Sequence, residues 1–151
     1  NDIVKLLTKN ISLRLVKGAY KHDISKAYQN QEQIRKMFIQ NAFTILSDRC
    51  RSYYHMRASN TVISAIGTHD QEIIEEIIKN MDAFNIHREN CDFEFLYGIR
   101  RDLSEQMKND GYTVRLYVPF GKDWLPYTLR RLKEYKNLMF VVKNIFKEWK
   151  S

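Results

Sequence analysis

The sequence contains few of the residues that mark disulfide frameworks, metal sites and flexible linkers. Its 151 residues include two cysteines, two prolines and five glycines. Cys50 and Cys91 form no disulfide framework and no metal-ligand spacing, so a reducing compartment, the cytoplasm, is the expected location. No low-complexity linker interrupts the chain, and its length predicts a single domain with a substantial core.

Long apolar runs and nucleotide-binding fingerprints are also missing. No run is long enough to span a membrane, and the first residues show no signal-peptide pattern. The first residue is Asn1 and not Met, which is expected of a processed chain or of a piece of a longer protein. Neither G-x-G-x-x-G nor a Walker pattern is present, which argues against those two nucleotide-binding loops.

Positively charged residues outnumber negatively charged ones, but they are not clustered in a continuous basic segment. The 25 lysines and arginines outnumber the 18 acidic residues and give a net charge of +7. Because these cations are scattered, and because no pattern of interleaved aromatic and basic residues is present, nucleic acid is not an expected partner. An anionic cofactor, a phosphate or a membrane surface would explain the excess equally well.

Strand-like and helix-like segments alternate four times along the chain. The predicted strands are residues 11–17, 61–67, 92–97 and 114–118. The predicted helices are residues 34–49, 71–84, 103–109 and 124–135, followed by a last amphipathic helix at about 138–149. This order predicts an α/β fold of parallel strands with crossover helices. Half of a (β/α)8 barrel and a small open sheet both fit the pattern.

Polar residues and glycines, together with Leu96, collect where each predicted strand ends. They are Arg14, Lys17, Gly18 and Tyr20, then Thr68, His69 and Asp70, then Glu94, Leu96, Tyr97 and Gly98, and finally Tyr117 and Gly121. Parallel α/β folds bind ligands at this edge, but loops are polar in any fold, and the two interpretations weigh about equally. No nucleophile motif and no metal-ligand spacing accompanies His69, which by itself favours a structural histidine. Arg14 in a central apolar strand would need an acceptor.

The helix predicted at 124–135 carries one face that could hold an anion. Tyr127, Arg130, Arg131 and Glu134 follow helical spacing and share this face. Two guanidinium groups beside an aromatic ring can grip a carboxylate through charge-assisted hydrogen bonds. A solvated charged surface is the more common explanation for such a face.

Five motifs together resemble the proline dehydrogenase family. They are RLVKGAY at 14–20, THD at 68–70, FEFLYG at 93–98, RLYVP at 115–119 and YTLRRLKE at 127–134. Their order and spacing match the family over residues 11–135. The resemblance implies a distorted (β/α)8 barrel, of which this chain would form the C-terminal half. Residues 1–151 would then supply strands five to eight and the eighth helix of one catalytic domain.

The resemblance also implies a reaction. Family members oxidise L-proline to Δ1-pyrroline-5-carboxylate by hydride transfer to FAD, and the electrons then pass to a membrane quinone. The implied partners are L-proline, FAD, the quinone, a peripheral contact with the inner membrane, and either the N-terminal half of the barrel or another copy of the chain. The alternative is a truncated, non-catalytic piece that binds flavin or a partner protein.

Matching the motifs residue by residue assigns roles within this family. The FAD contacts would be Arg14, Val16, Gly18, Ala19, Tyr20, Thr68, His69, Asp70 and Glu134, with Arg14 near the flavin N5. The walls of the proline site would be Leu96, Tyr117 and Tyr127, and its carboxylate clamp Arg130 and Arg131. Arg14, Tyr117, Arg130 and Arg131 would form the catalytic set, and no metal is implied. Lys21, Asp70 and Glu94 differ from residues found in some or many members.

Overall fold

Helices and strands alternate through a computed structural model. It describes residues 2–9, 11–17, 23, 25, 27–55, 64–122, 124, 126 and 127, apart from the side chains of residues 49–55. The elements are α1 Asp2–Thr8, β1 Arg14–Val16, α2 Gln31–His55, β2 Ser64–Gly67, α3 Gln71–Ala83, the 3-10 turn Arg88–Asn90, β3 Cys91–Leu96, α4 Arg101–Asn109 and β4 Thr113–Tyr117. The predicted last helix at 138–149 and most of the one at 124–135 lie outside these residues.

The four strands form one parallel sheet in the order β1-β2-β3-β4. This confirms the predicted α/β fold with parallel strands. Arg14, Ala65, Asp92 and Thr113 stand side by side in register across the sheet. Because neighbours in register share a face and successive residues alternate, the register fixes which side chains meet.

One face of the sheet is apolar and packs against the helices. Leu15, Ile66, Phe93, Phe95 and Val114 contact side chains of α2, α3 and α4. The main helix contributions are Phe38, Ala42 and Leu46 from α2, Ile73, Ile74, Ile77 and Met81 from α3, and Leu103 and Met107 from α4. The spacing of the α3 residues is the one that places apolar side chains along one side of a helix. This face therefore holds the hydrophobic core.

The opposite face of the sheet carries charge, and we call it the polar face. Its residues in register are Arg14 and Val16 on β1, Ala65 and Gly67 on β2, Asp92, Glu94 and Leu96 on β3, and Thr113, Arg115 and Tyr117 on β4. No helix of the described residues is both long enough and apolar enough to cross a bilayer.

Replacing Gly111 with alanine is expected to lower the free energy of unfolding by about 1–2 kcal/mol, because residues with a Cβ avoid positive φ. Gly111 joins α4 to β4 with a φ of +84°. Urea denaturation measures the change. Gly67→Ala is the matched control, since its new Cβ would lie 3.5 Å from Val16 Cγ2, an ordinary contact. Equal losses in the two variants would contradict the explanation.

Candidate active site

Arg14 and Glu94 form an ion pair across an intervening strand. Arg14 Nε pairs with Glu94 Oε2, although β2 lies between their strands. On this face β2 presents only Ala65 and Gly67, so two long side chains can meet above it. The Glu94 side chain is 14% exposed and the Arg14 side chain 48%. The pair therefore lies at the centre of the polar face, with its cation accessible to a ligand.

Aromatic rings adjoin this ion pair. Arg14 Cζ lies 5.3 Å from the ring centroid of Tyr117, within the range of a cation–π contact. The Tyr117 and Tyr127 rings are 5.8 Å apart and tilted relative to each other. Tyr127 also packs against Leu96 and Ile99. The side chain of Arg14, the first residue of β1, thus reaches Tyr117, which lies with Leu96 and Tyr127 at the carboxyl ends of β3 and β4.

Thr68 and Asp70 lie where β2 leads into α3. The Asp70 carboxylate accepts a hydrogen bond from Ile73 N at 3.4 Å and caps the helix. Lys17 Nζ lies 3.3 Å from Asp70 Oδ2, and Thr68 Oγ1 accepts from Asp70 N at 3.2 Å. These contacts tie the carboxyl end of β1 to that of β2, beside the half-exposed Val16.

His69 links the end of β2 to the end of β3. Its Nε2 accepts a hydrogen bond from Leu96 N at 2.8 Å, and its ring meets the Phe95 ring at 5.5 Å, edge to face. Because Nε2 is the acceptor, the neutral ring carries its proton on Nδ1. Burial, helped by the charge of Arg100, lowers the His69 pKa to about 4. With Nε2 occupied, His69 is poorly suited to take a proton from a substrate.

A second ion pair, Asp92 with Arg115, was not singled out from the sequence. Arg115 Nη2 pairs with Asp92 Oδ2, and the Asp92 side chain is 1% exposed. Among the described residues neither carboxylate oxygen of Asp92 has a hydrogen-bond partner, so its contact with Arg115 is an ion pair only. Burial raises the pKa of Asp92 and the charge of Glu94 raises it further, whereas Arg115 opposes both. The one available signal was two carboxylates, two positions apart, in an otherwise apolar strand.

A depression of about 530 Å³ opens beside His69 and the start of α3. Its other lining residues are Asp70, Gln71, Glu72, Glu75 and Arg100. Arg100 is already bonded to Asp102 at 2.9 Å and to Gln71 at 3.0 Å. Three carboxylates beside one committed guanidinium disfavour a phosphate, even at a helix N-terminus. The polar face is therefore the better candidate for the active site.

Several predicted site residues lie outside the described residues. They are Gly18, Ala19 and Tyr20 of the first motif and Arg130, Arg131 and Glu134 of the last. Their roles stay predictions. The described residues contain no group of histidine, cysteine and acidic side chains arranged to hold a metal ion.

Comparison with known proteins identifies the family of this chain. The family model for proline dehydrogenase matches residues 2–143. The chain is 34% identical over 137 residues to proline dehydrogenase of Deinococcus radiodurans, covering 90% of this chain and 40% of that protein. It is 32% identical over 148 residues to proline dehydrogenase 1 of Bacillus subtilis strain 168, covering 97% and 45%.

A plant relative extends the similarity beyond bacteria. Mitochondrial proline dehydrogenase 2 of Arabidopsis thaliana is 29% identical over 137 residues, covering 85% of this chain and 29% of that protein. The chain thus spans less than half the length of these three curated relatives. Since the family model covers nearly the whole chain, this chain belongs to the proline dehydrogenase family.

Proposed function

We propose that this chain takes part in the oxidation of L-proline to Δ1-pyrroline-5-carboxylate. FAD would accept the hydride, and a quinone would take the electrons from it. The observation that carries this proposal is the group formed by Arg14, Glu94, Tyr117, Tyr127 and Leu96 on the polar face of the sheet. The family of the chain supports the same reaction.

The polar face offers the donors and the flat surface that a flavin requires. Ala65 and Gly67 have small side chains and leave open space above the centre of the polar face. A Cβ at position 67 would lie 3.5 Å from Val16 Cγ2 and occupy part of this space. The half-exposed Arg14 supplies a cation beside it. FAD would be held by Arg14, Val16, Thr68, His69 and Asp70, together with the residues assigned by motif at 18–20 and 134. When bound, FAD supplies the hydride acceptor.

The side chains of this chain would bind and orient the substrate. The Tyr117 and Tyr127 rings and Leu96 would enclose the apolar proline ring. Arg130 and Arg131, assigned by motif, would grip its carboxylate through forked hydrogen bonds. Holding the ring carbon at a fixed place contributes much of the acceleration in such reactions. The Arg14 cation would stabilise negative charge that develops next to it.

We further propose that the four strands are strands five to eight of a (β/α)8 barrel, within one catalytic domain. In the described sheet β1 and β4 are edge strands. Unpaired edges invite pairing with other strands, here the N-terminal half of the barrel or another copy of the chain. A quinone acceptor would require peripheral contact with the inner membrane, from the cytoplasmic side.

Anaerobic addition of L-proline to the protein reconstituted with FAD tests this function. The visible absorbance of the flavin is expected to fall, and D-proline serves as the control. Bound FAD that L-proline leaves oxidised would refute the proposal and favour a non-catalytic, flavin-binding role. Absence of any flavin binding would refute both.

Tyr127→Ala is expected to raise the KM for proline about tenfold, with a smaller change in kcat. The variant removes the ring that meets Tyr117 at 5.8 Å and packs on Leu96. Aromatic pairs of this kind contribute about 0.5–1.5 kcal/mol beyond their buried area. Steady-state kinetics with L-proline measures the change. Tyr28→Ala, at an exposed tyrosine before α2, is the control, and equal KM changes in the two variants would contradict the assignment.

A further inference from the structure

Arg100 ends the turn that connects β3 to α4. Its φ of +50° lies in the left-handed region, which residues with a Cβ seldom adopt. Gly98, two residues earlier, has a φ of +82°, and between them Ile99 is buried at 2% exposure. An unfavourable backbone conformation persists where surrounding contacts compensate for it. The contacts of the Arg100 side chain therefore have to account for the conformation of this turn.

The Arg100 side chain is hydrogen-bonded to the first turns of two helices. Its Nε donates to Asp102 Oδ1 at 3.0 Å and its Nη2 to Asp102 Oδ2 at 2.9 Å, a forked contact at the start of α4. Nη2 also donates at 3.0 Å to Oε1 of Gln71, the first residue of α3. Gln71 Nε2 in turn donates to Glu75 Oε1 at 2.9 Å, which fixes the orientation of the Gln71 amide. Arg100 thus links the turn after β3 to the start of α3.

The linked turn supports the wall of the proposed proline site. Leu96 and Ile99 form a buried pair against which Tyr127 packs. Ile99 N donates to Leu96 O at 3.0 Å, so the turn is bonded to the end of β3. From the β2 side, His69 Nε2 accepts from Leu96 N at 2.8 Å. A shift of the turn would therefore change the support behind the Tyr127 ring.

We infer that Arg100 is a positioning residue that fixes the turn 97–100 between α3 and α4. By this link it holds Leu96 and Ile99 in place behind the Tyr127 ring. The identity of the ligand at that ring, proline, rests on the proposed function, whereas the role of Arg100 in fixing the turn does not. Arg100 acts through these residues and is assigned no contact with flavin or substrate.

Arg100→Gly separates the backbone of the turn from the hydrogen bonds of the side chain. Glycine readily adopts a φ of +50°, so the variant keeps the backbone conformation and loses the contacts with Gln71 and Asp102. In the full-length enzyme it is expected to raise the KM for proline roughly threefold to tenfold, with kcat changed by less than about twofold, because the wall binds the substrate without reacting. A wild-type KM, or a loss confined to kcat, would overturn the inference.

Gln71→Ala breaks the same link from its other end. It leaves the contact of Arg100 with Asp102 and removes the hydrogen bond to α3. This variant is expected to raise the KM for proline as Arg100→Gly does. The double variant is expected to be no worse than Arg100→Gly alone, since both changes remove one shared contact. Increases in KM that multiply in the double variant would show independent effects and overturn the inference.

A measurement without proline tests the turn itself. In the full-length protein, hydrogen–deuterium exchange followed by mass spectrometry reports on residues 97–104, several of whose amides donate within or next to the turn. Exchange there is expected to be at least tenfold faster in Arg100→Gly and Gln71→Ala than in wild type, and unchanged at 77–83 in α3. Equal exchange at 97–104 in the three proteins would overturn the inference.

A matched control breaks an exposed ion pair on the same helix. Glu105 lies 3.3 Å from Arg101 on α4. Glu105→Gln is expected to leave both the KM for proline and the exchange at 97–104 at wild-type values, and changes as large as those in Arg100→Gly would overturn the inference. If the wild-type enzyme does not oxidise proline, the proposed function fails, and the exchange measurement alone decides whether Arg100 fixes the turn.

Discussion

Replacing Arg115 with methionine is expected to lower the free energy of unfolding by about 3 kcal/mol at pH 7, because it leaves the buried Asp92 carboxylate without its cation. The two partners differ strongly in exposure, since the Arg115 side chain is 56% exposed and that of Asp92 1%. When the pair is broken, the exposed Arg115 is solvated by water. The buried Asp92 carboxylate is shielded from water and loses the cation that offset its burial. Urea denaturation of the wild type and the variant measures the difference.

Replacing Asp92, the other partner of this ion pair, is expected to have a different effect on stability. Burial raises the pKa of Asp92 above its ordinary value of 3.8, so ionisation of this group opposes folding at neutral pH. The protonated Asp92 side chain favours folding. This contribution is complete below pH ~4 and is lost as the pH rises through the raised pKa of Asp92. Asp92→Asn removes this penalty, so it is expected to be neutral or slightly stabilising and to restore most of the stability lost in Arg115→Met.

The pH dependence adds a second check on this pair. The loss in Arg115→Met is expected to be largest at pH 7 and to shrink as Asp92 takes up a proton. Arg101→Met, which breaks the exposed pair with Glu105, is expected to change stability by less than about 1 kcal/mol. A double variant, Arg115→Met with Asp92→Asn, that is as unstable as Arg115→Met alone would refute the explanation.

Periodicity in the sequence was sufficient to locate the sheet and α3. Apolar residues recur at helical spacing from Ile73 to Met81, and Asp70 caps the helix, so its predicted start at Gln71 agrees with the structure. The four strands lie within or near their predicted segments. Alternation in such strands follows directly from one face packing on helices. Local pattern and tertiary packing therefore agree here.

Two helices depart from the predicted boundaries for physical reasons. α1, Asp2–Thr8, was not predicted, since seven residues give too few turns for a periodic signal, and Leu7 is its only buried residue. α2 spans Gln31–His55, well beyond the predicted 34–49. Its added residues at both ends are mostly polar, so hydrophobic periodicity could not place the ends.

The pairings on the polar face could not be predicted, although several of their residues could. The expectation that Arg14 needs an acceptor assumed a central strand, whereas β1 is an edge strand of the described sheet and the Arg14 side chain is 48% exposed. The choice of Glu94 depends on the strand order and on the small side chains of β2. Register between parallel strands is set by long crossover connections, which leave no local signature. The pairing of Asp92 with Arg115 was missed for the same reason.

Lowering the pH from 7 to 4 is expected to destabilise the wild type, relative to His69→Gln, by at most about 3 kcal/mol. The His69 pKa is lowered from 6.5 to about 4, chiefly by burial, so the folded protein resists taking up a proton that the unfolded chain binds readily. The contribution is complete above pH 6.5 and is lost progressively as the pH falls towards 4.

His69→Gln is the informative variant because it separates the hydrogen bond from the titration. The glutamine carbonyl oxygen can accept from Leu96 N, as His69 Nε2 does at 2.8 Å, but it does not titrate. Urea denaturation at several pH values is the measurement, and His87→Gln, at an exposed histidine, is the control that should follow the wild type. Parallel curves for wild type and His69→Gln would show that His69 titrates normally. That result would contradict a neutral His69 ring that accepts the hydrogen bond of Leu96 N. It would also remove the reason given for the fixed position of Leu96 beside Tyr127.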